Sequence, residues 1–206
     1  MSPRPYRMTR RQELVDSTRS KILSAALEVL VSGKRFSIDA VAREAEVTRV
    51  TVYDRFGTRE SLIEATFDHL AETGGLTNLP QAFTEADPLI ALQQFVTTFC
   101  GFYSVHRLAL RRIHALGVLG RGTDGQTDRN TRRLHGLRVL LGRLASDGHP
   151  RADADEAVRV AHALTSFAFV DEFAGVDRDP LDIAPTIVAL IHPTADIGEP
   201  FLPGTS

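Results

Sequence analysis

A chain of 206 residues, 43% of them hydrophobic, is long enough to bury a core as one large domain or two small ones. Its single cysteine, Cys100, excludes an intramolecular disulfide framework and any zinc site built from several thiolates; a small buried thiol in a reducing cytoplasm is expected. The net charge of −2 conceals an asymmetry, with 12 basic and 8 acidic residues up to Glu60 (net +4) and 12 and 18 beyond it (net −6). The positive end is the candidate polyanion-binding end. No apolar run approaches about 18 uninterrupted residues and none of signal-peptide length follows the N-terminal arginines, so neither export nor a membrane partner is expected.

In chain order, residues 1–16 form a basic arm, where Arg4, Arg7, Arg10 and Arg11 precede any acidic residue and Pro3 and Pro5 discourage helix. A flexible segment is expected there, with Arg10 and Arg11 available to DNA. From Ser17 to Val31, Leu23, Leu27, Leu30 and Val31 recur at the spacing of one helical face, and Gly33 stops the pattern. Ser37 then opens a second helix to about Ala45, with Phe36 and Val41 at the positions of a hydrophobic staple. Thr48 repeats the device for a third helix, with Val47 and Val52 as its staple. Thr58 caps a fourth, whose Leu62, Ile63, Phe67 and Leu70 lead to the break at Thr73-Gly74-Gly75. The expected division is residues 17–73 as one domain and 74–206 as a second.

Two short capped helices in succession make a tight corner. A helix-turn-helix needs a small residue in the first helix, a special turn residue four positions later and an apolar residue ten positions after the first; Ala42, Glu46 and Val52 stand there. A left-handed backbone at Glu46 costs a non-glycine residue roughly 1 kcal/mol. The second helix of such a pair enters the major groove. Arg49 suits a guanine edge, Val50 a thymine methyl, and Thr51 and Tyr53 the phosphates, with Arg55 and Arg59 adding charge nearby.

The run from Phe36 to Leu62 resembles the signature of the tetracycline-repressor (TetR) family of regulators. The familiar "GTLYRHFPSKEAL" corresponds without a gap to Val50-Thr51-Val52-Tyr53-Asp54-Arg55-Phe56-Gly57-Thr58-Arg59-Glu60-Ser61-Leu62. The resemblance implies that Ser37, Thr48, Thr51, Tyr53, Arg55 and Arg59 approach DNA, mostly at phosphates. Departures from the pattern are Glu46 for the turn glycine, Val50 for a small residue, Asp54 for a basic or neutral one, Arg55 for histidine and Gly57 for proline. The fold class so implied is all-α: an N-terminal three-helix helix-turn-helix domain, then a larger helical effector-binding and dimerisation domain.

Beyond Gly75 the pattern predicts five helices, over roughly 88–105, 107–119, 127–146, 153–174 and 180–192, with a start near Pro185 as the alternative for the last. Asp153 with Glu156 is a capping signal for the fourth of these. Rings at Phe95, Phe99, Phe102 and Tyr103 share one helix and Phe167, Phe169 and Phe173 another; such stripes usually form core. By resemblance they border an effector cavity, to which His114, His135, Phe169 and Glu172 are further candidates. His106 and His162 are alternatives, and Asp171-Glu172 reads more readily as a solvated pair. In the family the last two helices pair with their symmetry mates, implying a homodimer on a palindromic double-stranded operator. The expected function is a repressor released by a small-molecule effector, or a TetR-like protein whose second domain docks a protein partner. Neither a cofactor nor a metal is expected, since no histidines pair at i,i+4 and no phosphate loop or nucleophile elbow is visible; an enzyme is not expected.

Overall fold

Among the residues that the computed structural model describes, 5–117, 124–146 and 154–196, there are ten α-helices, one 3-10 turn and no strand. The chain divides into two units: residues 1–70 with 108–123, and residues 71–107 with 124–206. The all-α class with its N-terminal helix-turn-helix is thus the observed architecture.

In the first unit, α1 spans Pro5–Val31, α2 Ile38–Glu44, α3 Arg49–Phe56 and α4 Arg59–Thr73, the last crossing into the second unit after Leu70. Helix α1 packs on α2, and α2 on α3. The spacing of apolar residues settles which faces turn inward: Ile22, Leu23, Ala26, Val29 and Leu30 of α1, Val41 and Ala42 of α2, and Val52 and Phe56 of α3 are all buried. Helix α1 starts at Pro5 rather than near Ser17. Proline as the first helical residue lacks only an amide that would have no helical partner, and its fixed φ suits the first turn, so Pro5 opens the helix instead of preventing it.

The second unit contains the 3-10 turn Leu76–Asn78, α5 (Leu79–Thr84), most of α6 (Pro88–Ala115), α7 (Asp124–Ser146), α8 (Ala154–Leu164), α9 (Phe167–Ala174) and α10 (Ala184–Asp196). Helices α7, α8 and α10 pack on one another, and α9 on α8. The two helices expected over 88–105 and 107–119 are divided where the sequence pattern puts the break: within α6, His106 has φ −109° and ψ 15° and leaves helical values. Conversely, the single helix expected over 153–174 is interrupted at Thr165-Ser166, because Ser166 is extended and its hydroxyl accepts from the Phe169 amide at 3.2 Å, opening α9 with a cap of its own. Asp153 lies outside the described residues. Pro185 is the second residue of α10, where a proline is tolerated.

Cys100 is 1% exposed, and burial pushes its thiol pKa up to about 12, which makes it an inert packing group. Gly136 of α7 faces the rings of the core: a Cβ there would stand 3.0 Å from Phe95 Cε2 and 3.1 Å from Phe83 Cζ. Phe95 is buried and held, whereas Phe83 is exposed and can give way. Gly136→Leu is expected to lower stability by about 1–3 kcal/mol through overpacking. Gly136→Ala is expected to lose less, because better helix propensity returns up to about 1 kcal/mol. Thermal unfolding of the two variants should rank them in that order.

Candidate functional site

Two hydroxyl caps and one strained turn build the corner between α2 and α3. Ser37 accepts from the Ala40 amide at 3.1 Å and Thr48 from the Thr51 amide at 3.1 Å, each satisfying a donor that a helix start leaves open. Between them Glu46 has φ 51°, the one left-handed non-glycine position among the described residues, and its carboxylate pairs with Lys21 at 3.0 Å. The Val47 amide donates to the Ala42 carbonyl at 2.9 Å, closing the turn. With Ala42 and Val52 both buried at the crossing, α3 is fixed on one side.

Its other side is open. Thr48, Arg49, Val50, Tyr53, Asp54 and Arg55 are exposed, Val50 by 66% and Tyr53 by 41%, while Thr51 is half-buried. Arg49 extends over the Tyr53 ring at 5.2 Å, donates to its hydroxyl at 3.2 Å and pairs with Asp39 of α2 at 3.4 Å. The Tyr53 hydrogen bond and then the Asp39 charge raise its pKa further. The Thr48 and Thr51 hydroxyls are 2.8 Å apart. Asp54, the unexpected acid, is exposed. Arg59, half-buried, lies over the Phe36 ring at 5.8 Å and donates to the Phe36 carbonyl at 3.4 Å; it also pairs with Glu60. The side chains of Arg10 and Arg11 lie outside the described residues.

The corner from α3 to α4 turns on Gly57, with φ 71° and ψ −58°. Its amide donates to the Tyr53 carbonyl at 2.8 Å, and the Thr58 amide donates across it to the Phe56 carbonyl at 2.8 Å, a γ-turn with positive φ. Thr58 then caps α4 by accepting from the Ser61 amide at 3.0 Å. Proline, which stands here in the TetR pattern, is locked near φ −65° and has no amide to give, so this chain makes the corner differently.

The rings of the second unit do converge. Phe83, Phe95, Phe99 and Tyr103 follow one another with centroids 6.0, 5.0 and 6.0 Å apart, and Tyr103 meets Phe167 at 5.4 Å and Phe102 at 5.7 Å. The Tyr103 hydroxyl donates to the Thr165 carbonyl at 3.0 Å. Burial raises its pKa, the effect outweighing the nearby Arg133 charge. The remaining candidates stand apart. Half-buried Phe169 stacks on Phe173 and Glu172 is exposed. His135 borders an open groove of about 490 Å³ with Pro88, Arg138 and Arg143. His114, exposed, belongs to the first unit. Asp171 is no solvated carboxylate: Arg107 Nε donates to it at 2.6 Å and the same guanidinium also reaches carbonyls of Asp171, Gly175 and Arg178. It ties the end of α9, a role that a sequence neighbour of Glu172 did not reveal.

A short helix packed from behind, with its polar side open and its start capped, has the geometry of the second helix of a helix-turn-helix. Residues 22–66 match the model of the bacterial regulatory proteins of the tetR family. That segment therefore has the sequence pattern of the tetR-family DNA-binding domain. The fold agrees over a wider span. The chain is similar to the TetR-family regulator PfmR from Thermus thermophilus (TM-score 0.65, 19% identity, covering 84% of this chain and 97% of that one). It is similar also to FadR from Bacillus subtilis, solved with stearoyl-CoA (0.67, 14%, 85% and 98%). A third is NalD of Pseudomonas aeruginosa, the secondary repressor of the MexAB-OprM multidrug efflux pump (0.61, 23%, 88% and 97%). At such identities these structures speak for the fold alone. Among curated proteins, none matches the chain.

The two strained positions make opposite predictions. Glu46→Gly removes a left-handed penalty of about 1 kcal/mol at the loss of one exposed ion pair, so thermal stability is expected to hold or rise. Gly57→Pro, which restores the TetR residue, is expected to lose on the order of 1–3 kcal/mol. Paired unfolding curves measure both, and a stabilised Gly57→Pro would contradict the γ-turn.

Proposed function

We propose that the protein is a homodimeric repressor that binds a palindromic operator through α3 and is released when a small molecule binds in the second unit. One observation carries the DNA half of this reading: Val50 and Tyr53 are exposed on the same eight-residue helix whose Val52 and Phe56 are buried. An apolar side chain left in water beside a capped helix start suits a thymine methyl, and Arg49 beside it suits a guanine edge. Ser37, Thr48, Thr51, Tyr53, Arg55 and Arg59 take phosphates, which fix register and carry no sequence information. Arg10 and Arg11 add to the same electrostatic attraction.

The dimer half is supported by what α8 to α10 leave outside. Val158, Ala161 and Thr165, with Ile187, Val188 and Ile191, are buried within the protomer, but Ala163, Ala168, Ala189 and Leu190 are exposed. Small exposed residues let a symmetry mate's helices approach closely, and a twofold pair places two reading helices on successive major grooves. Effector binding then shifts the population toward a spacing of those helices that fits the grooves less well. The analogy with FadR, solved with an acyl-CoA, and with NalD, a repressor, favours ligand-controlled repression.

Mobility shift against the DNA beside its own coding region, with a random-site selection in parallel, tests the proposal. A complex that weakens steeply with added salt is expected. Tyr53→Phe is expected to weaken binding several-fold at all sequences, whereas Arg49→Ala loses about 1–3 kcal/mol at the preferred site and relaxes the preference there. Equal losses from both at every sequence would remove the division between reading and positioning. For the dimer, Leu190→Arg is expected to shift sedimentation toward the monomer and to abolish operator binding at concentrations where the parent protein is saturated.

A further inference from the structure

Helix α3 carries an acid that its surroundings do not account for. Five acidic residues stand between Ser37 and Glu60. Four of them pair with a base: Asp39 with Arg49 at 3.4 Å, Glu44 with Lys34 at 3.5 Å, Glu46 with Lys21 at 3.0 Å and Glu60 with Arg59 at 3.2 Å. The fifth, Asp54, is exposed, and its carboxylate has no hydrogen bond or ion pair among the described residues. Arg55 is exposed beside it in sequence, but successive residues of a helix do not face each other.

Its place on the helix is equally distinctive. Val52 and Phe56 are buried along one line of α3, and at about 100° per residue Asp54 stands about 180° from that line. Val50, one turn earlier and also exposed, shares this outermost line, with Arg49 and Tyr53 on one flank and Thr51 and Arg55 on the other. None of the ordinary roles of a surface acid fits Asp54. It forms no ion pair among the described residues. In the last turn of α3 it stands at the negative end of the helix dipole, where an acid weakens the helix. In a segment whose basic surplus attracts polyanions, it subtracts from that attraction.

An outermost position does give access to the floor of a groove. A helix lying in the major groove turns its flanks toward the phosphate walls and its outermost line toward the base edges. Asp54 is short, so unlike Arg49 it reaches only what lies directly opposite. An ionised carboxylate accepts hydrogen bonds and donates none. Guanine offers N7 and O6 and thymine O4, all acceptors that repel it, and adenine sets its N6 donor beside the N7 acceptor. Cytosine presents its N4 donor with no neighbouring acceptor of its own.

We infer that Asp54 is a specificity-determining residue that selects a cytosine in the operator through its N4 amino group. This rests on the proposed role of α3 as the DNA-contacting helix. The four residues from Val50 to Asp54 advance about 6 Å along α3, close to two base-pair steps of roughly 3.4 Å each. The cytosine therefore belongs about two base pairs from the thymine that Val50 contacts, once in each half-site.

Random-site selection and mobility shift on the full-length protein, Asp54→Asn and Asp54→Ala test this. Asparagine keeps the shape of the side chain, adds a donor and matches adenine N6 and N7. The parent is expected to select cytosine at one position of each half-site and to bind about tenfold more weakly when it is replaced. Asp54→Asn is expected to move the preference at that position to adenine and to leave the other positions unchanged. Asp54→Ala is expected to lose the preference there and to bind unrelated DNA more tightly, most of all at low salt. Both variants should melt close to the parent, since the side chain is exposed. Base preferences that stay the same in both variants, a uniform gain or loss at all sequences, or an Asp54-dependent preference for a base other than cytosine overturns the inference. In each of those cases the losses from Tyr53→Phe and Arg49→Ala persist and the role of α3 stands. A parent protein that forms no salt-sensitive complex with any duplex overturns both.

Discussion

Helices α2 and α3 meet at a corner that neither can hold by itself. Helices α2 and α3 have 7 and 8 residues, well below the length at which an isolated helix persists in water. What keeps them formed is the burial of Val41, Ala42, Val52 and Phe56 together with the hydroxyl caps of Ser37 and Thr48. Burial needs the two axes to cross closely, and close crossing needs the chain to reverse at Glu46. A carboxylate-bearing residue in a left-handed conformation is the cost of that reversal. The pairing of Glu46 with Lys21 at the surface offsets little of it, since both side chains are well exposed.

Once the corner is fixed, the electrostatics of α3 follow. Arg49, on the first turn, has no acid on its own helix within reach, and Asp39 of α2 is brought opposite it by the crossing. Asp39 and Tyr53 both contact the arginine, through an exposed ion pair and a hydrogen bond. On the proposed reading of α3 as the DNA-contacting helix, a side chain already placed in this way loses less rotamer entropy on meeting a base, while the carboxylate beside it repels phosphate. In that proposal the basic surplus of the first sixty residues supplies the general attraction.

How much of this is legible in the sequence depends on whether the controlling interaction is local. The caps at Ser37, Thr48 and Thr58, the left-handed position at Glu46 and the burial of Val52 are set by residues within ten positions of one another, and the sequence pattern locates each. The joint at Thr165-Ser166 is equally local, but the apolar periodicity of α8 continues into α9 and outweighs a lone serine in any reading of pattern. The extension of α1 to Pro5 is hidden wherever proline is taken as a breaker, although at the first helical position it costs nothing. The partners of Asp171 and Arg133 are 64 and 30 positions away in α6, and no spacing rule reaches that far. The row of rings is legible from its three- and four-residue spacing, while the arginine beside it is not, because a basic residue on a mostly polar helix such as α7 looks like a solvated one.

That arginine also changes how the α8 to α9 joint is understood. A serine cap that interrupts a helix leaves the preceding carbonyl without its donor, and buried carbonyls are paired almost without exception. The Tyr103 hydroxyl from α6 serves one lone pair of that carbonyl, and the half-buried Arg133 of α7 serves the other through Nη1. An arginine that keeps part of its side chain in water supplies this donor without the full cost of burying a charge. The break between α8 and α9 is thus what ties α6 and α7 to one carbonyl, so a local cap at Ser166 sets a long-range contact among three helices.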